Sequence, residues 1–382
     1  MVIGFPARGA VDAEARTGIA AYAGLARKAA DEGKGPLADH FLGLLAAVDA
    51  PEEEKKAAFQ ELADDYEKKH VLSRAIAVYE KMAQIYAADA GTPDMIFHLG
   101  LLYRESGAPR IAIARFYTVL NSTMKFGGQD LAAYRTLAQR AQWEIAETFF
   151  KTGDIPSAKK YYDLLSRLDL PPAEQARVQF KLTHCLFIAD DVAGAITSAQ
   201  SFLQAFPGDP SAAECRYLLA SAFRAQHRDA EAFDTTLALL REETGRKDKD
   251  PEKWIYWKKK AGNEFANSYY QKGDTLSALT IYQAIARLSD EPEWQWPVLY
   301  QMGLCFERLR YGDRAADAYK YLIDEAKKPG REAGKLPEIL STILEMARWR
   351  SSHLTWSNTA AVNLQRLLRS PVSAAASQTP EP

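Results

Sequence analysis

Ser157 and Lys160 stand three residues apart, the spacing at which a lysine can draw a proton from a serine for acyl transfer. The companion motifs of that chemistry are missing. The sequence has no Gly-x-Ser-x-Gly, no phosphate-cradling loop, no Gly-x-Gly-x-x-Gly and no His-Glu-x-x-His. Cys185, Cys215 and Cys305 are odd in number, lie far apart and form no Cys-x-x-Cys, so neither a zinc site nor a disulfide framework is expected. The six histidines are scattered. These absences lead to the expectation of a protein that is not an enzyme, with no metal and no cofactor.

A second set of residues suits recognition rather than bond making. Phe97, Trp143, Phe180, Tyr217 and Tyr300 are aromatic, and Arg104, Arg140, Arg177 and Arg224 accompany them. Aromatics with arginine are the usual anchors of interfaces, because they give a large contact area at low entropy cost. What must position them is a repeat.

Number a unit so that Leu99 is position 7; then Gly100 is 8, Tyr103 is 11, Gly107 is 15, Ala112 is 20, Phe116 is 24 and Val119 is 27. The same columns recur through Ile145, Ala146, Phe149, Gly153, Ala158 and Tyr162, and again through Phe265, Ala266, Tyr269, Gly273, Ala278 and Tyr282. Position 20 is alanine in nine units: Ala38, Ala75, Ala112, Ala158, Ala195, Ala232, Ala278, Ala315 and Ala360. Positions 7 and 11 lie one turn apart on a first helix, as do 20, 24 and 27 on a second. Small residues at 8 and 20 let the backbones approach, aromatics at 11 and 24 fill the space around the crossing, and a glycine or polar residue at 15 ends the first helix. Cys185 and Cys305 fall at position 10, as small buried hydrophobes. His70 and His227 fall at position 15, at a helix C-terminus. One hairpin cannot bury its own faces, so such units stack.

The Leu99-Gly100-x-x-Tyr103 … Ala112-x-x-x-Phe116 pattern resembles the tetratricopeptide repeat family, over roughly Ala20 to Leu367. The opening tryptophan of that family is absent in every unit and its closing proline occurs once, at Pro207. The long period and the "FPGDPSAAE" linker look similar to bacterial periplasmic envelope-assembly arrays. The resemblance implies an all-α solenoid, a right-handed superhelix of eight to nine antiparallel hairpins. It also implies that positions 2, 5, 9, 12 and 13 face a concave groove. Column 5 then carries Phe97, Trp143, Phe180 and Tyr217 in successive units, with Tyr300 further on. Two readings of this column stand: half-packed structure against the next unit, or a ladder that holds a peptide of acidic character.

Two units carry about nine extra residues. The first insert, after Gly127 and Gly128, reads as an extended first helix. The second, from Thr244 to Lys260, mixes Arg246, Lys247, Lys249, Lys253, Lys258, Lys259 and Lys260 with Trp254, Tyr256 and Trp257. It reads either as a solvated loop whose aromatics cap a hairpin, or as a secondary contact through Trp254, Trp257, Lys258, Lys259 and Lys260. Trp294 and Trp296 read as wedges between units.

The organisation expected is a flexible N-terminus over 1–10, a repeat array over 11–369 and a disordered tail over 370–382. Forty-eight Lys and Arg nearly balance 50 Asp and Glu, which is not the basic surface of a nucleic-acid binder. No run approaches the ~18 apolar residues of a membrane helix. The first residues show no export signal, so the chain as written is expected in the cytoplasm, or in the periplasm if a signal has been removed. The leading function is a scaffold that binds a protein or peptide partner in a concave groove. The rival is a structural, self-assembling solenoid whose function is end-to-end stacking, and a homo-oligomer fits either.

Overall fold

The computed structural model describes residues 8–87, 89, 91–126, 131–241, 251–328 and 336–369, and these form helices joined by short turns with no strand among them. Residues 1–7, the Gly127-Gly128 break, the charged run 244–250 and the tail 370–382 lie outside the described residues. The chain divides into two compact units, Met1–Ala189 and Asp190–Pro382.

The first unit contains α1 (Arg8–Asp31), α2 (Gly35–Ala47), α3 (Glu52–Lys68), α4 (Leu72–Ile85), α5 (Thr92–Glu105), α6 (Pro109–Phe126), α7 (Leu131–Lys151), α8 (Ile155–Ser166) and α9 (Pro172–Ile188). The second contains α10 (Val192–Ala205), α11 (Ala212–Ala225), α12 (Asp229–Arg241), α13 (Pro251–Lys272), α14 (Thr275–Ile285), α15 (Pro292–Arg308), α16 (Gly312–Glu325) and α17 (Glu338–Arg369). Odd helices carry positions 1–14 of the repeat and even helices carry its second half.

Position 15 sets the turns. Gly33, His70, Gly107, Gly153, Asp190, His227, Gly273 and Arg310 all have φ between 54° and 89°, the left-handed conformation that closes a helix. At Gly107 the closure is complete: Gly107 N–H donates to Arg104 O at 3.2 Å and Ala108 N–H to Tyr103 O at 2.9 Å. Where aspartate follows, as at Asp154, Asp191 and Asp274, its carboxylate accepts from the backbone N–H three residues on and caps the next helix. Ser157 supplies one of those N–H groups, at 3.2 Å from Asp154 Oδ1, so it belongs to a helix cap beside the repeat alanine.

Position 20 is the floor of each crossing. Ala75, Ala112, Ala158, Ala232, Ala278 and Ala315 are fully buried, and Ala38 and Ala195 nearly so. A Cβ on Gly100 would come within 2.5 Å of Phe116 Cε1, so the position 8 glycine is needed for the position 24 ring to sit flat on α5. Tyrosines at position 24 also tie their own hairpin. Tyr282 Oη donates to Asn267 Oδ1 at 2.5 Å and Tyr319 Oη to Glu307 Oε1 at 2.6 Å.

The ninth unit departs from the pattern. Its alanine, Ala360, is exposed, and α17 runs unbroken for 32 residues through the position where every earlier unit turns. That position is Thr355, and a β-branched residue resists the left-handed conformation a turn requires. The ninth unit is therefore a single long helix rather than a helix pair.

Both inserts lengthen a first helix, to 21 residues in α7 and 22 in α13. The described part of the second insert is thus helix rather than loop. Pro251 begins it, where its missing N–H is no loss. Trp254, Lys258, Ala261 and Phe265 then fall on one buried face. Lys258 is accommodated because its Nζ donates to Leu240 O at 3.0 Å, an orphan carbonyl at the end of α12. Trp294 does the same for α14, donating from Nε1 to Ile285 O at 3.0 Å.

Candidate functional site

The odd helices of the first unit build a cleft from two stacking rules. Under the first, the cation at position 2 of one unit lies over the position 5 ring of the unit before. The Arg140 guanidinium on α7 is 4.6 Å from the centroid of Phe97 on α5, and Arg177 on α9 is 4.5 Å from that of Trp143 on α7. The second unit repeats it, with Lys260 Nζ 5.1 Å from the ring of Tyr217. Under the second rule, position 12 of one unit pairs with position 6 of the next. Arg104 is ion-paired with Glu144 and Arg224 with Glu264, the latter at 2.5 Å. His98 Nε2 is 2.9 Å from Glu67 Oε1 in the same places.

These rules sort the sequence-level candidates. Phe97 is 4 % exposed and packs against Phe116 at 5.6 Å, so it is a wall beneath Arg140. Phe180 is buried against His184, whose basicity is lowered by its own burial and then by Lys181. Tyr300 is buried against Tyr319. Trp143 is half-buried, edge-on to Tyr162 at 5.6 Å, with Arg177 exposed above it. Arg104 and Arg224 tie adjacent hairpins to each other, which leaves their charge largely neutralised.

In the second unit Tyr217 Oη donates to Glu264 Oε2 at 2.8 Å. Burial pushes the Tyr217 phenol up to about 12, helped by that carboxylate. Burial would also raise Glu264, but hydrogen bonds from Arg224 and Tyr217 outweigh it and hold the carboxyl below its ordinary value. Of the basic-aromatic contact expected there, Trp254 and Lys258 are internal, Trp257 and Lys259 are half-buried and Lys260 is exposed. Trp254 is 0 % and Lys258 4 % exposed. Lys259 lies 4.8 Å from the ring of Trp294, and Lys260 4.8 Å from that of Trp257. Both ammonium groups thus lie over aromatic rings.

What the first unit leaves open is a cleft of about 350 Å³ over α5, α7 and α9. Phe97, Leu101, Trp143, Leu170 and Val178 make its apolar walls, and Arg140, Arg177 and Glu174 carry charge at its rim. Among the described residues neither Arg140 nor Arg177 has an ion-pair partner. Larger hollows of about 690 and 840 Å³ flank α4, and most of their charges, though not Lys81, are already matched. Glu80 holds Arg115, and Lys56 holds Asp89 at 2.7 Å. The sequence reading missed Leu170 as a wall and Glu144 and Glu264 as ties. The signal for the ties was there, in opposite charges 40 residues apart at positions 12 and 6.

Among the described residues no cluster of His, Cys, Asp or Glu is placed to hold a metal ion, and no helix is long and apolar enough to cross a membrane.

Residues 136–270 match the family model described as outer membrane lipoprotein, YfiO. No curated protein matches the chain. Among solved structures it is similar to the C-terminal part of a TPR repeat-containing protein from Cytophaga hutchinsonii, at 14% identity over 73% of this chain and 100% of that one, TM-score 0.48. It is similar to a tetratricopeptide repeat protein from Parabacteroides merdae, at 12% identity over 76% and 97%, TM-score 0.41. It is also similar to Pseudomonas aeruginosa pilF, at 13% identity over 77% and 98%, TM-score 0.33. Among the described residues the helices form stacked hairpins whose columns repeat along the chain.

Proposed function

We propose that the chain is a non-enzymatic scaffold whose first unit receives an extended peptide in the cleft over α5, α7 and α9, with an acidic residue beside an apolar anchor. One observation carries this reading: Arg140 and Arg177 stand exposed over the rings of Phe97 and Trp143, with apolar walls between them and no carboxylate of their own. A guanidinium that rests on a ring can still offer N–H groups to a carboxylate, which accepts two parallel bonds. The apolar walls supply the remaining affinity, since buried anchors dominate interfaces. The matched family's description as an outer membrane lipoprotein supports a place in the bacterial envelope, on the periplasmic side, and fractionation of cells that carry the natural gene tests that placement.

Selection from a randomised peptide library on the purified chain tests the site. Peptides with Asp or Glu next to a bulky apolar residue are expected, and Trp143→Ala should weaken them by more than ~1 kcal/mol. Arg177→Glu should weaken them at least about tenfold by placing like charge against the acidic residue. Enrichment of basic peptides, or binding unchanged by both substitutions, would remove the site from this cleft.

A further inference from the structure

The last helix carries a surface that no described residue of its own chain covers. The first half of α17 buries Leu340, Ile343, Leu344 and Ala347 against α15 and α16. From Thr355 to Leu368 every residue is exposed. An isolated helical stretch of this length is marginal in water, because most helical stability in proteins comes from packing an apolar face.

The face is there, on the side away from α15 and α16. Ile339 is 63 %, Trp349 62 %, Trp356 67 % and Leu367 72 % exposed, with Met346 and Ala360 between them. His353 stacks between the two tryptophan rings, parallel to that of Trp349 at 5.4 Å and 5.9 Å from that of Trp356. Met346, Trp349, His353, Trp356, Ala360, Asn363 and Leu367 recur at alternating steps of three and four, the seam of a helix that pairs lengthwise with another.

We propose that α17 is a dimerisation helix that pairs antiparallel with α17 of a second copy of this chain. The charges fix the register. With His353 opposite Trp356 of the second copy, Trp349 meets Ala360 of the second copy, large against small. Glu345 then flanks the seam opposite Arg366 of the second copy, and the two-fold axis makes this contact twice. A parallel pair would stack each tryptophan on its own copy. Such a dimer closes on itself, unlike an end-to-end stack, and it stands independently of the cleft reading.

Sedimentation of the full chain over a wide concentration range tests the proposal. A species of twice the 42.5 kDa chain mass is expected. Trp356→Glu should leave the monomer. Glu345→Arg alone and Arg366→Glu alone should each weaken the dimer about tenfold or more, and the two together should restore it. Disulfide formation gives the direction: a mixture of the Met346→Cys and Asn363→Cys chains should cross-link, and Asn363→Cys alone should not. A monomer at every concentration, a dimer indifferent to Trp356→Glu, or self-linking of Asn363→Cys would overturn it. So would a monomer that co-sediments with phosphatidylglycerol vesicles, which would give the same face to lipid.

Discussion

The Arg140 guanidinium lies 4.6 Å over the ring of Phe97, one hairpin earlier in the chain, and 37 residues on Arg177 lies 4.5 Å over Trp143. The repeat of this contact makes it a rule of stacking rather than an accident of one rotamer. Cation–π contacts at exposed sites contribute ~0.5–1 kcal/mol. A double-mutant cycle between Arg140→Ala and Phe97→Leu should therefore give a coupling of about that size in urea unfolding. The Arg104–Glu144 tie is half-buried on both sides, and its cycle should give a coupling of the same order that survives moderate salt better. Zero coupling in both cycles would mean that the odd helices are held together by apolar packing alone.

Position 15 offers a test with opposite signs at equivalent places. His227 and Arg310 hold φ of 58° and 65°, a conformation that costs a non-glycine residue about 1 kcal/mol. His227→Gly and Arg310→Gly should each stabilise by up to that amount, less the added freedom of glycine in the unfolded chain. Gly107→Ala, at φ 82°, should destabilise by ~1–2 kcal/mol. The same sign for both kinds of substitution would rule out turn strain as the cause.

The hairpins were legible because local chemistry repeats: alanine at 20 and a turn former at 15 read the same from sequence as from coordinates. The candidate site was legible only as a column. Phe97 and Trp143 share position 5, yet which cation covers each ring depends on the offset between successive units, and that offset is not local. Lys258 was misleading for a different reason. A lysine in a charged run looks solvated, but its aliphatic stem tolerates burial when the Nζ finds a helix-end carbonyl. In the ninth unit the spacing of Ala360, Leu364 and Leu367 fits a second helix and an uninterrupted one equally well. Thr355 at position 15 was the mark that told them apart.

Cys185, Cys215 and Cys305 are all buried, and burial pushes their thiols up to about 11, 12 and 11. A thiol reagent at neutral pH should label none in the native chain and all three in denaturant. The same shifts give a pH dependence. The unfolded thiols lose their protons near the ordinary value of 9.0, while the folded ones keep them. Stability from this source is fully present below pH 9 and is lost as pH rises toward 11–12. The half-buried Tyr217 and the buried Tyr269, both raised to about 12 with burial the first cause, add to the loss above pH 10. Urea midpoints measured from pH 8 to pH 11 should fall steadily; a flat profile would contradict the burial of these groups.

Gly303 and Gly24 are both helical glycines, and the structure gives them opposite consequences. A Cβ at Gly303 would overlap the ring of Tyr319, and that ring is pinned because Tyr319 Oη donates to Glu307 Oε1 at 2.6 Å. Tyr319 is itself fully buried, so it cannot swing outward without opening the crossing of α15 and α16. Gly303→Leu should cost on the order of 1–3 kcal/mol through overpacking. At Gly24, in the interior of α1, nothing lies within 4 Å of the built Cβ. There the helix propensity of alanine acts alone, and Gly24→Ala should stabilise by up to ~1 kcal/mol. Thermal melts of the two variants should therefore move in opposite directions from the parent. If Gly303→Leu melts with the parent, position 8 is not the point of closest approach in that hairpin, and the register of its columns must shift.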